Sequence, residues 1–194
     1  MNTSHNSKLI VISGPSGVGK SSIVEALLAE TPSSFSVSAT TRDSRRGEVD
    51  GVDYHFVDRA AFEAKVASGE VLEWAEYGGN LYGTLRSAVD PILDTGTNVI
   101  LDIENEGAKQ IRGSFPEALL IFVAPPDLDA LANRLDLRGD TSLRDMELRL
   151  AVAAEQMAEA PEVYDHVVTN DELRRAINEI LSILGAAGTE PSVQ

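Results

Sequence analysis

The sequence predicts an α/β protein: a parallel sheet core flanked by helices, with a small, mostly β insert. Three observations carry this reading. Apolar strand-like runs alternate with helix-like runs, a glycine-rich turn joins the first strand to the first helix, and one stretch, residues 34–84, breaks the rhythm. Strands that alternate with helices are joined by crossovers and therefore lie parallel.

The elements follow in order. "KLIVISG" (8–14) is a continuous apolar run and reads as a buried strand. "KSSIVEALLAE" (20–30) reads as a helix, with Ile23, Val24, Leu27 and Leu28 on one face. "NVILDIE" (98–104) and "ALLIFVAP" (118–125) are further buried strands, each followed by a helical pattern, "EGAKQIRGSF" and "DLDALANRLDLRG". "HVVTN" and "ELRRAINEILSILG" close the alternation. Within the interruption, "SFSVSATT", "DYHFVD", "VLEWAEYG" and "NLYGT" are short and closely spaced, as in a β insert. From Asp127 to about Ala160 the pattern is almost wholly helical, with a break near "RGDTS" where Thr141 or Ser142 is placed to cap a new helix. There are no repeats, and the tail "GTEPSVQ" reads as frayed.

Composition narrows the function. A length of 194 residues suits one domain with a real core. The chain has no cysteine, so disulfides and thiolate metal sites are excluded, and His5, His55 and His166 show no ligand spacing. The apolar runs are too short to span a bilayer, and the polar start "MNTSHNSK" lacks a signal-peptide core, so a soluble cytoplasmic protein is expected. A net charge of −15 argues against a nucleic acid polymer as partner. A small anionic ligand would need a local cationic pocket, which directs attention to clustered arginines.

"GPSGVGKS" (Gly14–Ser21) matches G-x-x-x-x-G-K-[ST] and lies between a strand and a helix, as that phosphate-binding motif requires. Its glycines let successive backbone N–H groups face one point at the positive end of a helix dipole. Lys20 adds a charge for the β- and γ-phosphates, and Ser21 is placed to ligate Mg²⁺. Such a metal also takes a carboxylate from a strand end. "VILDIE" offers Asp102 and Glu104, two apart and so on one strand face, or else both cap the next helix.

A second anion site is indicated by Arg42, Arg45 and Arg46, three arginines within five residues of an acidic chain. Alternation in the preceding strand puts Ser36, Ser38 and Thr40 on one face and Val37 and Ala39 on the other. Tyr54 and Tyr82 either add hydroxyl donors there or pack ordinarily. In "VLEWAEYG", Leu72 and Trp74 share one face while Glu73 projects to the other, into a groove or into solvent.

Taken together, "GPSGVGKSS", "SVSATTR", "RGEVDGVDYHFV", "VLEWAEYGGNLYGT" and "LDIENEGA" resemble guanylate kinases in order and spacing, from about Lys8 to Leu184. The resemblance implies a P-loop NTPase-type core (1–33, 85–126, 160–194), a GMP-binding insert (34–84) and a helical lid (127–159), all in a single domain. It implies the reaction ATP + GMP ⇌ ADP + GDP with Mg²⁺, deoxy-GMP as a further acceptor, and a monomer or homodimer. Carried over residue by residue, ATP is bound by Gly14, Pro15, Ser16, Gly17, Val18, Gly19, Lys20, Ser21, Ser22 and Asn170. The GMP phosphate falls to Arg42, Arg45, Tyr54 and Tyr82, and the base to Ser38, Glu73, Thr84 and Asp102. The metal falls to Ser21 and Asp102, and catalysis to Lys20 with the lid arginines Arg134, Arg138 and Arg149. Three departures stand out: "SRR" where a proline usually precedes the second arginine, Glu104 for an aspartate, and Glu106 for a glutamine.

The acceptor oxygen of GMP is already ionised near neutral pH, so the chemistry requires no general base. It requires alignment and positive charge against phosphate–phosphate repulsion. Two alternatives compete: another nucleoside monophosphate kinase, which would not need a carboxylate facing the base, and a phosphopeptide-binding scaffold module, which would have lost the loop that is intact here.

Overall fold

The computed structural model describes residues 7–136 and 143–187. Their strands are β1 (Leu9–Ser13), β2 (Ser33–Phe35), β3 (Ala39–Thr40), β4 (His55–Phe56), β5 (Val71–Tyr77), β6 (Asn80–Leu85), β7 (Asn98–Asp102), β8 (Leu119–Ala124) and β9 (His166–Thr169). The helices are α1 (Lys20–Glu30), α2 (Arg59–Ala67), α3 (Arg86–Asp94), α4 (Asn105–Ser114), α5 (Leu128–Asp136), α6 (Leu143–Val163) and α7 (Leu173–Ala187). A five-stranded parallel sheet has the order β2-β7-β1-β8-β9, and a four-stranded sheet has the order β4-β3-β6-β5. Every residue of β1 and β8 is buried, as expected of strands covered on both faces. No helix among the described residues is long and apolar enough to cross a membrane.

The chain divides into two compact units. The first comprises residues up to Val11 together with Ser33–Ala118. In it β2 pairs in parallel with β7, and the chain then leaves this sheet for the smaller one. β3 pairs in parallel with β4 and antiparallel with β6, which pairs antiparallel with β5. The expected single strand over 34–41 is therefore two short strands belonging to different sheets. Between them no ladder imposes a two-residue period, so Ser36, Ala39 and Thr40 are buried while Val37 and Ser38 are half-buried. The β insert also carries a helix that the sequence reading omits. α2 starts at Asp58, whose carboxylate accepts from Ala61 N–H (2.7 Å), and drives Phe62 into a core of Ala39, Leu81 and Leu85.

The second unit comprises Ile12–Pro32 and the chain from Leu119 onward. β8 and β9 pair in parallel, and the Asp165 carboxylate accepts from Leu120 N–H (2.8 Å) at their start. α5 and α6 pack through Leu131, Leu135 and Ala153, with Leu128, Met146 and Leu150 around them. The helical stretch expected after Asp127 is thus two helices, and the break near "RGDTS" lies outside the described residues. α7 is tied to α1 by Arg174, whose two terminal nitrogens donate to both Glu30 oxygens.

Candidate active site

The glycine loop lies in the second unit, between Ser13 and the first residue of α1, Lys20. Gly14 has φ 144°, and a Cβ there would stand 2.2 Å from the Val123 carbonyl oxygen of β8. No side chain fits without moving a core strand. Gly19, with φ 106°, occupies the position before α1 and offers no side-chain cap, which leaves the first helical N–H groups available to an anion. Lys20 folds across the loop: its Nζ donates to the Gly14 carbonyl (2.8 Å) and more weakly to that of Pro15 (3.5 Å). Ser16, Ser21 and Ser22 are exposed, Gly17 is half-buried, and Pro15 and Val18 are buried.

Behind the loop stands a polar brace. The Val18 carbonyl accepts from Asn170 Nδ2 (2.8 Å) and Arg134 Nη1 (3.2 Å), while Arg134 Nη2 donates to the Asn170 carbonyl (2.7 Å). Asn170 is buried, and its own N–H donates to Ala124 O at the end of β8 (2.8 Å). Arg134, expected as a lid cation, thus holds two backbone carbonyls in this structure. Arg149 is exposed on α6, and Arg138 lies outside the described residues.

The arginine cluster lies in the first unit. Arg42 meets the Glu48 carboxylate end-on, Nη2 to Oε1 at 2.9 Å and Nη1 to Oε2 at 3.0 Å, and Nη1 also donates to the Asp43 carbonyl (2.7 Å). The guanidinium carbon lies 5.5 Å from the Tyr54 ring centre and 5.8 Å from that of Phe56. Tyr54 and Tyr82 meet edge to face at 6.0 Å. The Arg45 side chain is exposed, but its N–H donates to Glu48 Oε2 (2.6 Å). The bond from Arg42, reinforced by that from the Arg45 N–H, holds the Glu48 carboxyl below its ordinary range. Sequence reading passed over Glu48. Its signal was an acid six residues after Arg42 and three after Arg45, across a glycine turn.

The buried carboxylate expected to face the base is Glu73, 6% exposed. Strict alternation along β5 would have separated it from Leu72. Instead the register runs Val71↔Leu85 and then Glu73↔Thr84, so Leu72 is the extra residue of a β-bulge. The bulge re-aims the strand: Leu72 and Glu73 are both buried, and Trp74, expected on the face of Leu72, is 38% exposed. Glu73 Oε1 accepts from the Thr84 hydroxyl (2.7 Å). Burial raises the Glu73 pKa, and the Thr84 bonds offset part of that rise.

α4 packs beside this carboxylate with residues that the sequence did not single out. A Cβ at Gly107 would stand 2.6 Å from Glu73 Oε2, so the helix approaches the carboxylate as closely as a bare Cα allows. Gln110 Oε1 accepts from Trp74 N–H (3.0 Å), and its Nε2 donates to the Trp74 carbonyl (2.8 Å). The Ser114 hydroxyl donates to the Leu72 carbonyl (3.0 Å). One helix thereby covers the open edge of β5 in place of a further strand.

Ser38 is half-buried, and its carbonyl accepts from His55 N–H (2.9 Å). Asp102 is half-buried at the end of β7. Glu104, expected on the same strand face, lies beyond the strand end at the N-cap position of α4, exposed and without a side-chain capping bond. Glu106 pairs with Lys109 (2.8 Å). No group of three acidic, histidine or cysteine side chains among the described residues is arranged to hold a metal. Mg²⁺ accompanying a nucleotide does not need one. It takes one or two protein oxygens and fills its octahedron with phosphate and water, a donor set that a serine hydroxyl and one carboxylate fit.

A parallel sheet whose first strand turns through a glycine-rich phosphate loop into a helix defines a P-loop α/β protein. The guanylate kinase model matches residues 6–187. The guanylate kinase of Symbiobacterium thermophilum is 49% identical over 179 residues, covering 92% of this chain and 84% of its own. That of Rubrobacter xylanophilus is 46% identical, covering 95% and 97%. The crystal structure of guanylate kinase from Anaplasma phagocytophilum superposes with a TM-score of 0.72 at 31% identity, covering 96% and 88%. The chain belongs to the guanylate kinase family.

Proposed function

We propose that this protein transfers the γ-phosphoryl group of ATP to GMP, giving ADP and GDP, and also accepts deoxy-GMP. The observation that carries the reading is the buried Glu73 carboxylate, tethered on one oxygen by Thr84 and backed on the other by Gly107. Guanine offers N1–H and its amino group side by side, and one carboxylate accepts both. Adenine has a lone pair at N1 and nothing polar at C2. Family membership supports the same acceptor.

The remaining residues divide the work by charge. The loop amides of Gly14–Gly19 and Lys20 hold the ATP phosphates, with Ser16, Ser21, Ser22 and Asn170 around them. Arg42, Arg45, Tyr54 and Tyr82 hold the GMP phosphate, and Ser38, Thr84 and Asp102 complete the base site. Mg²⁺, for which Ser21 and Asp102 are the assigned oxygen donors, supplies charge neutralisation when bound with ATP. Arg134, Arg138 and Arg149 are assigned to the transferring phosphoryl. For Arg134 this requires exchanging the Val18 and Asn170 carbonyls for phosphate oxygens. Insert 34–84 is assigned to GMP binding, and lid 127–159 is the segment assigned to close, excluding water that would otherwise take the phosphoryl group. The protein is assigned to the cytoplasm, as a monomer or a homodimer.

The test is ADP release from MgATP with GMP, AMP, CMP or UMP as acceptor. GMP is expected to turn over, with AMP poorer by about 10⁴-fold in kcat/KM. Comparable turnover of AMP would overturn the base assignment, and no turnover with any acceptor would point to a binding module.

A further inference from the structure

We infer that Glu48 is a positioning residue for the acceptor's phosphate, fixing Arg42 and Arg45 in the geometry that receives it. The inference rests on the GMP reading above and extends it to a residue outside the assigned set.

Three bonds converge on this carboxylate. Two come from the Arg42 guanidinium and one from the Arg45 backbone N–H. The Glu48 N–H in turn donates to the Arg45 carbonyl (3.1 Å), and Gly47 takes φ 95° within that turn. Residues 45 to 48 therefore close on themselves, and Glu48 ties the closed turn to Arg42. Both partners are sheltered, with side chains 20% and 15% exposed. The Tyr54 and Phe56 rings lie beside the guanidinium, and the Asp43 carbonyl takes a further Nη1 hydrogen. This arginine is held on several sides, unlike a surface lysine or arginine pair that exchanges freely with water.

The chemistry of the fork gives the holding its use. A guanidinium has two bidentate edges, and Glu48 takes the terminal one, Nη1 with Nη2. Glu48 leaves the lateral edge, Nε–H with the second Nη2 hydrogen, to other acceptors, and the Tyr82 side chain lies against this arginine. An arginine anchored end-on thus presents a pre-aimed lateral fork to an oxyanion. The next acids in the segment are also structural: Asp50 accepts from Phe56 N–H (2.9 Å) and Asp53 from Val49 N–H (2.8 Å). The acids of "RGEVDGVD" thus organise the loop that carries the arginines.

A carboxylate beside a phosphate site also repels phosphate, so the sign of the effect is the test. If Glu48 acts by positioning, its removal weakens GMP. If it merely competes for Arg42, its removal tightens GMP. Ordering a long side chain at the moment of binding costs about twofold to tenfold in affinity per side chain, and two arginine positions are involved here.

The experiment compares wild type, Glu48→Ala and Glu48→Gln in steady-state kinetics with MgATP and GMP, together with competitive inhibition by guanosine, which has the base but no phosphate. We expect Glu48→Ala to raise KM for GMP about tenfold to a hundredfold. KM for ATP and the guanosine inhibition constant should stay near wild type, and Glu48→Gln should fall between. An unchanged or lower KM for GMP in Glu48→Ala overturns the inference, and so does a parallel loss of guanosine binding, which would mean the whole unit had loosened. Should Glu48→Ala fail to fold, Glu48→Gln carries the same comparison. Wild-type turnover of GMP is measured first: its absence removes the acceptor reading and this inference with it, whereas normal wild-type turnover with an unaffected variant overturns the inference alone.

Discussion

The loop Gly14–Gly19 and the surroundings of Glu73 would hold the ligand groups proposed for them by different means. In the loop the groups offered to a phosphate are backbone amides, supplied by consecutive residues and shaped by the absence of side chains at Gly14 and Gly19. Around Glu73 they are side chains from separated positions, Glu73 and Thr84, and their quality depends on burial and on the closeness of Gly107. The contrast predicts different failures. A backbone site should lose its single charged side chain catastrophically for turnover while keeping its shape. A side-chain site should degrade by degrees as each neighbour is altered.

The largest effect is expected at Lys20, whose Nζ bridges the loop carbonyls of Gly14 and Pro15. Lys20→Ala should reduce kcat by at least about 10³-fold, with an unchanged melting temperature within a few degrees. The Pro15 carbonyl keeps the Val18 N–H as its donor, so the turn of the loop persists without the lysine. Steady-state turnover within tenfold of wild type would mean that the loop amides suffice.

Next comes Glu73→Gln. Replacing one acceptor oxygen by an amide sets a donor against a guanine donor, and kcat/KM for GMP should fall at least about a hundredfold while the GMP/AMP ratio narrows. Stability should move the other way. Burial raises the folded-state pKa of Glu73 above its unfolded value, so the fold favours the neutral form and the ionised group destabilises it as pH rises through the folded pKa. Glu73→Gln should therefore melt higher than wild type at neutral pH, with the gap shrinking on acidification. A lower melting point throughout would show that the ionised carboxylate has stabilising partners beyond Thr84.

Gly107→Ala sharpens the same point at smaller scale. The added methyl would begin 2.6 Å from Glu73 Oε2, so the carboxylate must shift, and KM for GMP should rise about tenfold with KM for ATP unmoved. Alanine is the better helix former by about 1 kcal/mol, which offsets part of the crowding in the stability of α4. Equal GMP kinetics in Gly107→Ala would show that Glu73 has room to move and is not held by contact.

This contrast also explains what could be read from the chain. The parallel core and the phosphate loop were legible because each is local: a continuous apolar run for β1, and eight residues that bear their own motif. The arginine cluster brought Arg42 into view, the alternation Glu73 and the family resemblance Thr84, but their physical setting was not visible. Alternation misplaced Trp74 because a bulge at Leu72 depends on the partner strand β6, which no local period encodes. Glu104 was put on the strand of Asp102 because nothing in "VILDIE" marks where the strand ends. Glu48 and Gln110 stayed hidden because an acid in a turn and a glutamine on a helix are ordinary solvated residues until the fold gives them backbone groups to bind.

Gln110 carries the smallest expected effect. Its amide pairs with both backbone groups of Trp74, the residue after Glu73, so it could set where the carboxylate sits or could simply cover a strand edge. Gln110 and Trp74 are both exposed, and water replaces much of what is lost when the amide goes. Each neutral bond contributes about 0.5–1.5 kcal/mol at best, less at such an edge. Gln110→Met keeps the length and most of the apolar stem while removing both bonds. We expect a melting temperature lower by about 2–4 °C and a GMP/AMP ratio lower by about threefold to tenfold, with KM for ATP unchanged. The two readouts separate the roles. Edge covering alone lowers the melting temperature and leaves discrimination intact, because Thr84 and Gly107 would still fix Glu73. Positioning lowers discrimination as well, since the backbone one residue beyond the carboxylate is then free to move with β5.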